Sequence, residues 1–210
     1  MIIEEFFEKV LNISDPVISR QIAALAEIRS LPKGQILIRE GDAQTYLFFL
    51  LSGILRGFLI DISGQEITDC FGYRCGTPAI GTLEINTPSP ITIEALTDCQ
   101  LIRLPIAEAL HFLDQDPRLL RIYNHLLCTA LRSHWELKVM LHKRTAMERY
   151  QWFLSAYPGL IDQVTHRHVA SFLGISPVTL SRLRSWTGEK GSTSPSKGSD
   201  RQGSPIRQEL

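Results

Sequence analysis

Apolar residues change their spacing along this chain, and the changes mark its parts. Over residues 2–11, Ile3, Phe6, Phe7, Val10 and Leu11 recur at helical spacing, and Asp15-Pro16 opens a second helix with Ile18, Ile22 and Leu25 on one side. From Leu31 the period shortens. QILIR, YLFFLL, ILRGFLI, EITDCF, ITIEAL and QLIRL are short extended runs separated by turn signals at Gly41-Asp42, Ser52-Gly53, Asp61 to Gln65 and Thr97-Asp98. Such runs predict an antiparallel barrel or sandwich. YLFFLL and ILRGFLI are apolar on both faces, so they need cover from the barrel interior on one side and from helices on the other. The Gly-, Thr- and Pro-rich stretch from Gly72 to Pro90 reads as a loop.

A helical period returns at Asp116-Pro117 and is expected to run to His142. Leu120, Tyr123, Leu127, Ala130, His134, Leu137 and Leu141 repeat at 3-4-3-4 spacing, the seam of a helix that pairs with a twin. Ile122 and Leu126 add a second stripe that suits packing on the chain's own sheets, and the two roles are compatible. Met147, Tyr150, Phe153 and Leu154 predict another helix, stopped by Pro158-Gly159.

The stretch VTHRHVASFLGISPVTLSRLR, Val164 to Arg184, carries the clearest chemistry. Thr165 can cap a short helix whose apolar face is Val169, Ala170, Phe172 and Leu173, and Gly174 stops it. Ser176-Pro177 is a strong restart signal, after which Leu180 and Leu183 face inward. Two short helices around a three-residue turn with Gly read as a helix-turn-helix. A hairpin that only fills a core would not require the basic outer side made of Val178, Thr179, Ser181, Arg182 and Arg184. In a DNA reader the start of the second helix enters the major groove. Arg182 then suits guanine O6 and N7, Val178 a thymine methyl, and Thr179 or Ser176 a phosphate. From Thr187 to Leu210 the chain is rich in Ser, Gly and Pro, and a disordered tail is expected.

Charge sharpens this division. Residues 1–117 hold 16 Asp/Glu and 8 Lys/Arg, whereas residues 118–187 hold 10 Lys/Arg and 3 Asp/Glu, so a neutral total hides an acidic part and a basic one. A length of 210 residues with 44% hydrophobic content allows one or two domains. Cys70, Cys75, Cys99 and Cys128, with no signal peptide, point to free thiols in a reducing cytoplasm. The most apolar run, Tyr46 to Ile60, is interrupted by Ser52-Gly53 and Arg56, which argues against a membrane span.

LPKGQILIREGD, followed by YLFFLLSGILRGFLID and GQEI, resembles the start of the cyclic-nucleotide-binding barrel of Crp/Fnr regulators, and the helix-turn-helix follows in the family's order. The resemblance spans residues 5 to 185. It implies an α+β fold: an N-terminal antiparallel jelly-roll β-barrel (1–116), a dimerisation helix (117–143) and a winged helix-turn-helix (144–186), followed by the tail (187–210). It also implies a homodimer on a double-stranded DNA operator, with RNA polymerase as a further partner and a hinge at His142 to Thr145. Two heads would then read half-sites about 34 Å apart.

The family's nucleotide pocket needs a Gly-Glu pair for the ribose and an Arg for the phosphate. Here Gly81 is followed by Thr82, with Glu84 three residues on, and Ser89 and Pro90 stand at the Arg position and its small neighbour. A buried phosphate without its counter-charge is costly, so cyclic AMP binding is expected to be weak or absent. Phe71, Ile80, Gly81, Thr82, Leu83, Glu84 and Ser89 are the expected pocket residues. No cofactor is expected, and a small-molecule effector of unread identity stays open. Sequence spacing disfavours an iron–sulfur site, because no Cys precedes Cys70. Residues 1–110 hold no His, which disfavours haem and cupin-type metal sites. No G-x-S-x-G occurs, so a non-enzyme is expected. The rival reading is a small-molecule sensor or protein-interaction module that does not bind DNA.

Overall fold

The computed structural model describes residues 2–81 and 87–189. Helices α1 (Ile3–Lys9) and α2 (Pro16–Leu25) come first. The second begins where Asp15 Oδ1 accepts the backbone N–H groups of Val17 and Ile18 ahead of Pro16. Eight strands follow: β1 (Glu27–Leu31), β2 (Ile36–Ile38), β3 (Tyr46–Ser52), β4 (Leu55–Ile60), β5 (Glu66–Gly72), β6 (Pro78–Ala79), β7 (Thr92–Ala95) and β8 (Cys99–Pro105). They form two four-stranded antiparallel sheets, ordered β1-β8-β3-β6 and β2-β7-β4-β5.

The antiparallel barrel or sandwich expected from the sequence takes the form of two facing sheets that do not close into a barrel. Among the described residues no strand of one sheet pairs with a strand of the other, and β1, β6, β2 and β5 remain edges. Consecutive β3 and β4 lie in different sheets because the chain turns a corner at Gly53, whose φ is +100°. A Cβ there would sit 2.6 Å from both Asp98 O and Cys99 Sγ, so only glycine fits.

Strand alternation explains the two-sided apolar runs. Phe48 and Leu50 point between the sheets, where they meet Ile38, Leu55, Ile93 and Leu101. Phe49, between them in sequence, points outward to Phe6, Phe7 and Ile22. Helix α3 (Ile106–Gln115) and the start of α4 (Pro117–Lys143) complete that outer layer with Ala109 and Leu119. Asp116 caps α4 by accepting the Arg118 N–H at 2.8 Å. Among the described residues no helix is long and apolar enough to cross a membrane.

The head comprises α5 (Ala146–Ala156), a 3-10 turn at Leu160–Asp162, α6 (His166–Phe172) and α7 (Pro177–Glu189). The expected wing is not found among the described residues, which contain no strand after Pro105. A Pro158-Gly159 turn and the 3-10 turn fill the short link from α5 to α6, and α7 continues to Glu189 where the tail was expected to start at Thr187. Residues 190–210 of that tail lie outside the described residues. Nor is the head an independent unit: Ile54 and Phe71 of the sheet domain share one core with Phe153, Phe172 and Leu180.

Candidate nucleic-acid interface

Local rules build the two helices of the motif. Thr165 Oγ1 accepts the His168 N–H at the start of α6. At its end Gly174 takes φ +60°; its N–H bonds to Ser171 O at 3.1 Å, and the Ile175 N–H bonds to Ala170 O at 3.0 Å. This 5→2 and 6→1 pair closes the helix and redirects the chain. Ser176 Oγ then accepts the Thr179 N–H at 3.1 Å and shares a 2.9 Å bond with Thr179 Oγ1, capping α7 ahead of Pro177. Ala170, Leu180 and Leu183 are buried where the helices cross.

That packing decides what faces water. Ser176, Val178, Ser181 and Arg182 are exposed, Val178 at 61%; Thr165 is exposed at the tip of α6, and Thr179 and Arg184 are half-buried. Arg184 contacts the ring of His166. From Val164 to Gly188 the sequence holds Arg167, Arg182 and Arg184 and no carboxylate. The surface is thus cationic and carries hydroxyls at its tip, as phosphate and base edges require. Trp186, 59% exposed on the extension of α7, belongs to the same helix and fell outside the expected motif.

The expected effector pocket is only partly assembled. Gly81 and Ser89 meet so closely that a Cβ on Gly81 would lie 2.0 Å from Ser89 Oγ. Their polar groups are satisfied internally: the Gly81 N–H donates to Gln44 Oε1 at 2.9 Å, and Ser89 Oγ donates to Ile91 O at 2.7 Å. Ile80 is half-buried beside β6, whereas Thr82, Leu83 and Glu84 lie outside the described residues. Phe71 corrects the expectation, since it points out of the sheet pair into the head. The cause is a bulge in β5. Gly57 pairs with Cys70 but Phe58 with Thr68, so Asp69 is an extra residue that reverses the alternation. A cleft of about 550 Å³ lies elsewhere, between the Val10–Asp15 turn and the first turns of α4, and none of the expected pocket residues lines it.

The buried arginine of this domain is on the outer face. Arg56 donates from Nε to Thr68 Oγ1 and from Nη1 to Glu66 and Glu94, facing α6. Its hydrogen bond holds the Glu66 carboxyl below the ordinary range. His168 on α6 faces the same charges; burial pushes its pKa down, and its Nδ1 has no partner among the described residues. Sequence reading missed this cluster because its members come from three strands and a distant helix. Among the described residues no group of three or more His, Cys, Asp or Glu is placed to hold a metal.

On α4 the expected seam splits. Leu120 is exposed, and Tyr123, Leu127 and Ala130 are half-buried, with His134 exposed. Leu137, however, packs into the head's core, and Leu141 lies against Gly174. The exposed apolar stripe instead continues through Leu131, Trp135 and Val139, at 55%, 57% and 42% exposure.

Residues 28–116 match the cyclic nucleotide-binding domain. The transcriptional activator protein anr of Pseudomonas aeruginosa is 26% identical over 167 residues, covering 74% of this chain and 68% of its own. The nitrogen fixation regulation protein FixK of Bradyrhizobium diazoefficiens is 26% identical over 160 residues, covering 71% and 66%. The structure of FixK2 from Bradyrhizobium japonicum shares the fold, with a TM-score of 0.73 at 19% identity over 82% of this chain and 89% of that one. So does the c-di-GMP responsive regulator CLP of Xanthomonas campestris, with a TM-score of 0.66 at 18% identity over 83% and 91%.

Proposed function

We propose that this chain is a transcription regulator of the Crp/Fnr type that binds double-stranded operator DNA as a homodimer, with α7 in the major groove. The observation that carries the reading is the outer face of α7. It is solvent-exposed and cationic, free of carboxylates up to Gly188, and rigidly capped at the end that would meet the bases. Arg182 is the base-reading residue, while Thr165, Ser176 and Thr179 hold phosphates. The exposed stripe Leu120, Leu131, Trp135 and Val139 supports pairing of α4 with its twin.

The same reading assigns no catalytic step to the chain and treats the sheet domain as a scaffold without cyclic AMP. With Ser89 and Pro90 where the family has an arginine and its small neighbour, and Ser89 Oγ bonded back to Ile91 O, a cyclic phosphate would lack its counter-charge. RNA polymerase is the partner that such a regulator would meet at a promoter.

Selection from a pool of random duplexes, followed by binding of the enriched sequence across a salt series, tests the proposal. A two-fold symmetric site whose affinity falls steeply with salt is expected. Enrichment of no sequence, together with binding insensitive to salt, would overturn it.

A further inference from the structure

The chain link between α4 and the head is short. Arg144 is extended at φ −119° and ψ 148°, and Thr145 caps α5 through a capping box with Glu148. A link this brief joins the two parts but leaves rotation about its own backbone open. Leu137 and Leu141 of α4 pack on the head and resist that rotation, and so does a second contact, far from the link in sequence. On α6, Ser171 Oγ accepts the Thr68 N–H at 2.9 Å and donates to Glu66 O at 3.2 Å. Strand β5 is the outer strand of its sheet, so these are groups that a neighbouring strand would otherwise take. One hydroxyl therefore does, for the sheet edge, what a ladder partner would do, and it belongs to the head.

Packing surrounds the clamp. Phe71, turned outward by the Asp69 bulge, lies 5.2 Å from Phe172, 6.3 Å from Phe153 and 6.4 Å from Tyr157. Tyr73 Oη and Arg74 Nη2 both donate to Ala156 O at the end of α5. The docked face of α6 is not the face that carries α7, so Val178 and Arg182 stay exposed while the head is held.

We propose that Ser171 is a positioning residue for operator binding: its clamp on the edge of β5 fixes the head against the sheet domain and so sets the distance between the two reading helices of a dimer. The inference rests on the DNA reading above. A head held by the clamp and the packing together accepts one half-site spacing, whereas a head held by the packing without the clamp accepts a wider range, because avidity needs both heads to land together.

The test uses the full chain and Ser171→Ala in two measurements. Amide hydrogen exchange reads the clamp without DNA. The Thr68 amide should exchange faster in the variant, while the Val169 and Leu173 amides keep their protection and show that α6 is intact. Unchanged Thr68 exchange would overturn the clamp. Binding is then measured to the selected duplex, to duplexes with its spacer changed by two base pairs, and to a single half-site. Spacer preference should fall roughly tenfold, the size of a lost hydrogen-bonding group, with half-site affinity unchanged. Equal loss on half-site and full site, or an unchanged spacer preference, would overturn the positioning role. A wild-type chain that binds no duplex would overturn the DNA reading and the spacing role with it, and this failure is recognisable because the exchange result stands apart from DNA.

Discussion

Arg56 on β4 and Glu94 on β7 are joined by a 2.7 Å ion pair whose cationic side chain is only 1% exposed. The guanidinium also reaches Glu66 at 2.8 Å and Thr68 Oγ1 at 2.9 Å, and it lies 4.4 Å over the ring of Phe58. Nε and Nη1 thus both have acceptors and the guanidinium stacks on a ring, as a buried arginine requires. Arg56→Met keeps the apolar length but strands two carboxylates and a threonine. Glu66 is 41% and Glu94 21% exposed, so water softens the loss, and a cost of about 2–3 kcal/mol is expected. Urea unfolding measures it. A midpoint equal to wild type would show the ion pair to be dispensable.

The same cluster makes stability depend on pH in two separate steps. His168 is pushed below its ordinary 6.5, first by burial and then by the charge of Arg56; it also faces Glu94, Glu66 and Arg167. Glu66 is held below its ordinary 4.5 by Arg56. Both folded-state values are depressed, so each contribution is present above the ordinary value and is lost as pH falls through the folded one. Stability should therefore drop first below pH 6.5 and again below pH 4.5. His168→Gln should abolish the first drop and spare the second, as followed by thermal unfolding across pH.

Features set by neighbouring residues were legible in the sequence, and those set by distant ones were not. The caps at Asp15, Asp116, Thr165 and Ser176 and the turn at Gly174 obey rules that act within four residues, and all of them stand as the pattern implies. Phe71 was misplaced because one bulged residue, Asp69, reverses every side chain beyond it. The partners of Arg56 sit on separate strands, and no local pattern joins them. At its far end the expected α4 seam has Leu137 and Leu141 packed against the head, for a geometric reason. A repeat of 3.5 drifts by about 20° per heptad on a straight helix, which after three heptads carries Leu137 and Leu141 onto the head.

That drift separates two groups of substitutions on α4. Trp135 and Leu131 are exposed in the single chain, so Trp135→Ala and Leu131→Asp should leave its fold intact and shift a dimer towards monomer. Leu137→Ala should do the reverse, costing about 2 kcal/mol of stability through the head's core without dissociation. Sedimentation and unfolding measured on the same samples distinguish the two. A monomer produced by Leu137→Ala but not by Leu131→Asp would favour the heptad seam.

The contact of Gly81 with Ser89 is testable without a ligand. Gly81→Ala forces the Ser89 hydroxyl away from Ile91 O and should cost about 1–3 kcal/mol as overpacking. In a Ser89→Gly background the new methyl has room, so most of that cost should vanish. Additive effects in this double-mutant cycle would mean that the two residues are not in contact.

Reading by α7 turns on how Arg182 and Thr179 differ. Arg182 is exposed nearly two turns beyond the cap, where a guanidinium can pair with guanine edges; the Thr179 hydroxyl is tied to Ser176 Oγ at the helix tip, where backbone phosphates pass. Arg182→Ala should cost about 1–3 kcal/mol on the selected duplex and remove the preference at one base pair per half-site. Thr179→Ala should weaken selected and scrambled duplexes by the same factor, because a phosphate contact carries no sequence information. Competition binding with single-base-pair variants reads both outcomes. If Arg182→Ala lost affinity uniformly while Thr179→Ala altered preference, the two roles would be exchanged, and α7 would lie in the groove rotated by about 60°, the angle between residues three apart on a helix of 3.6 residues per turn.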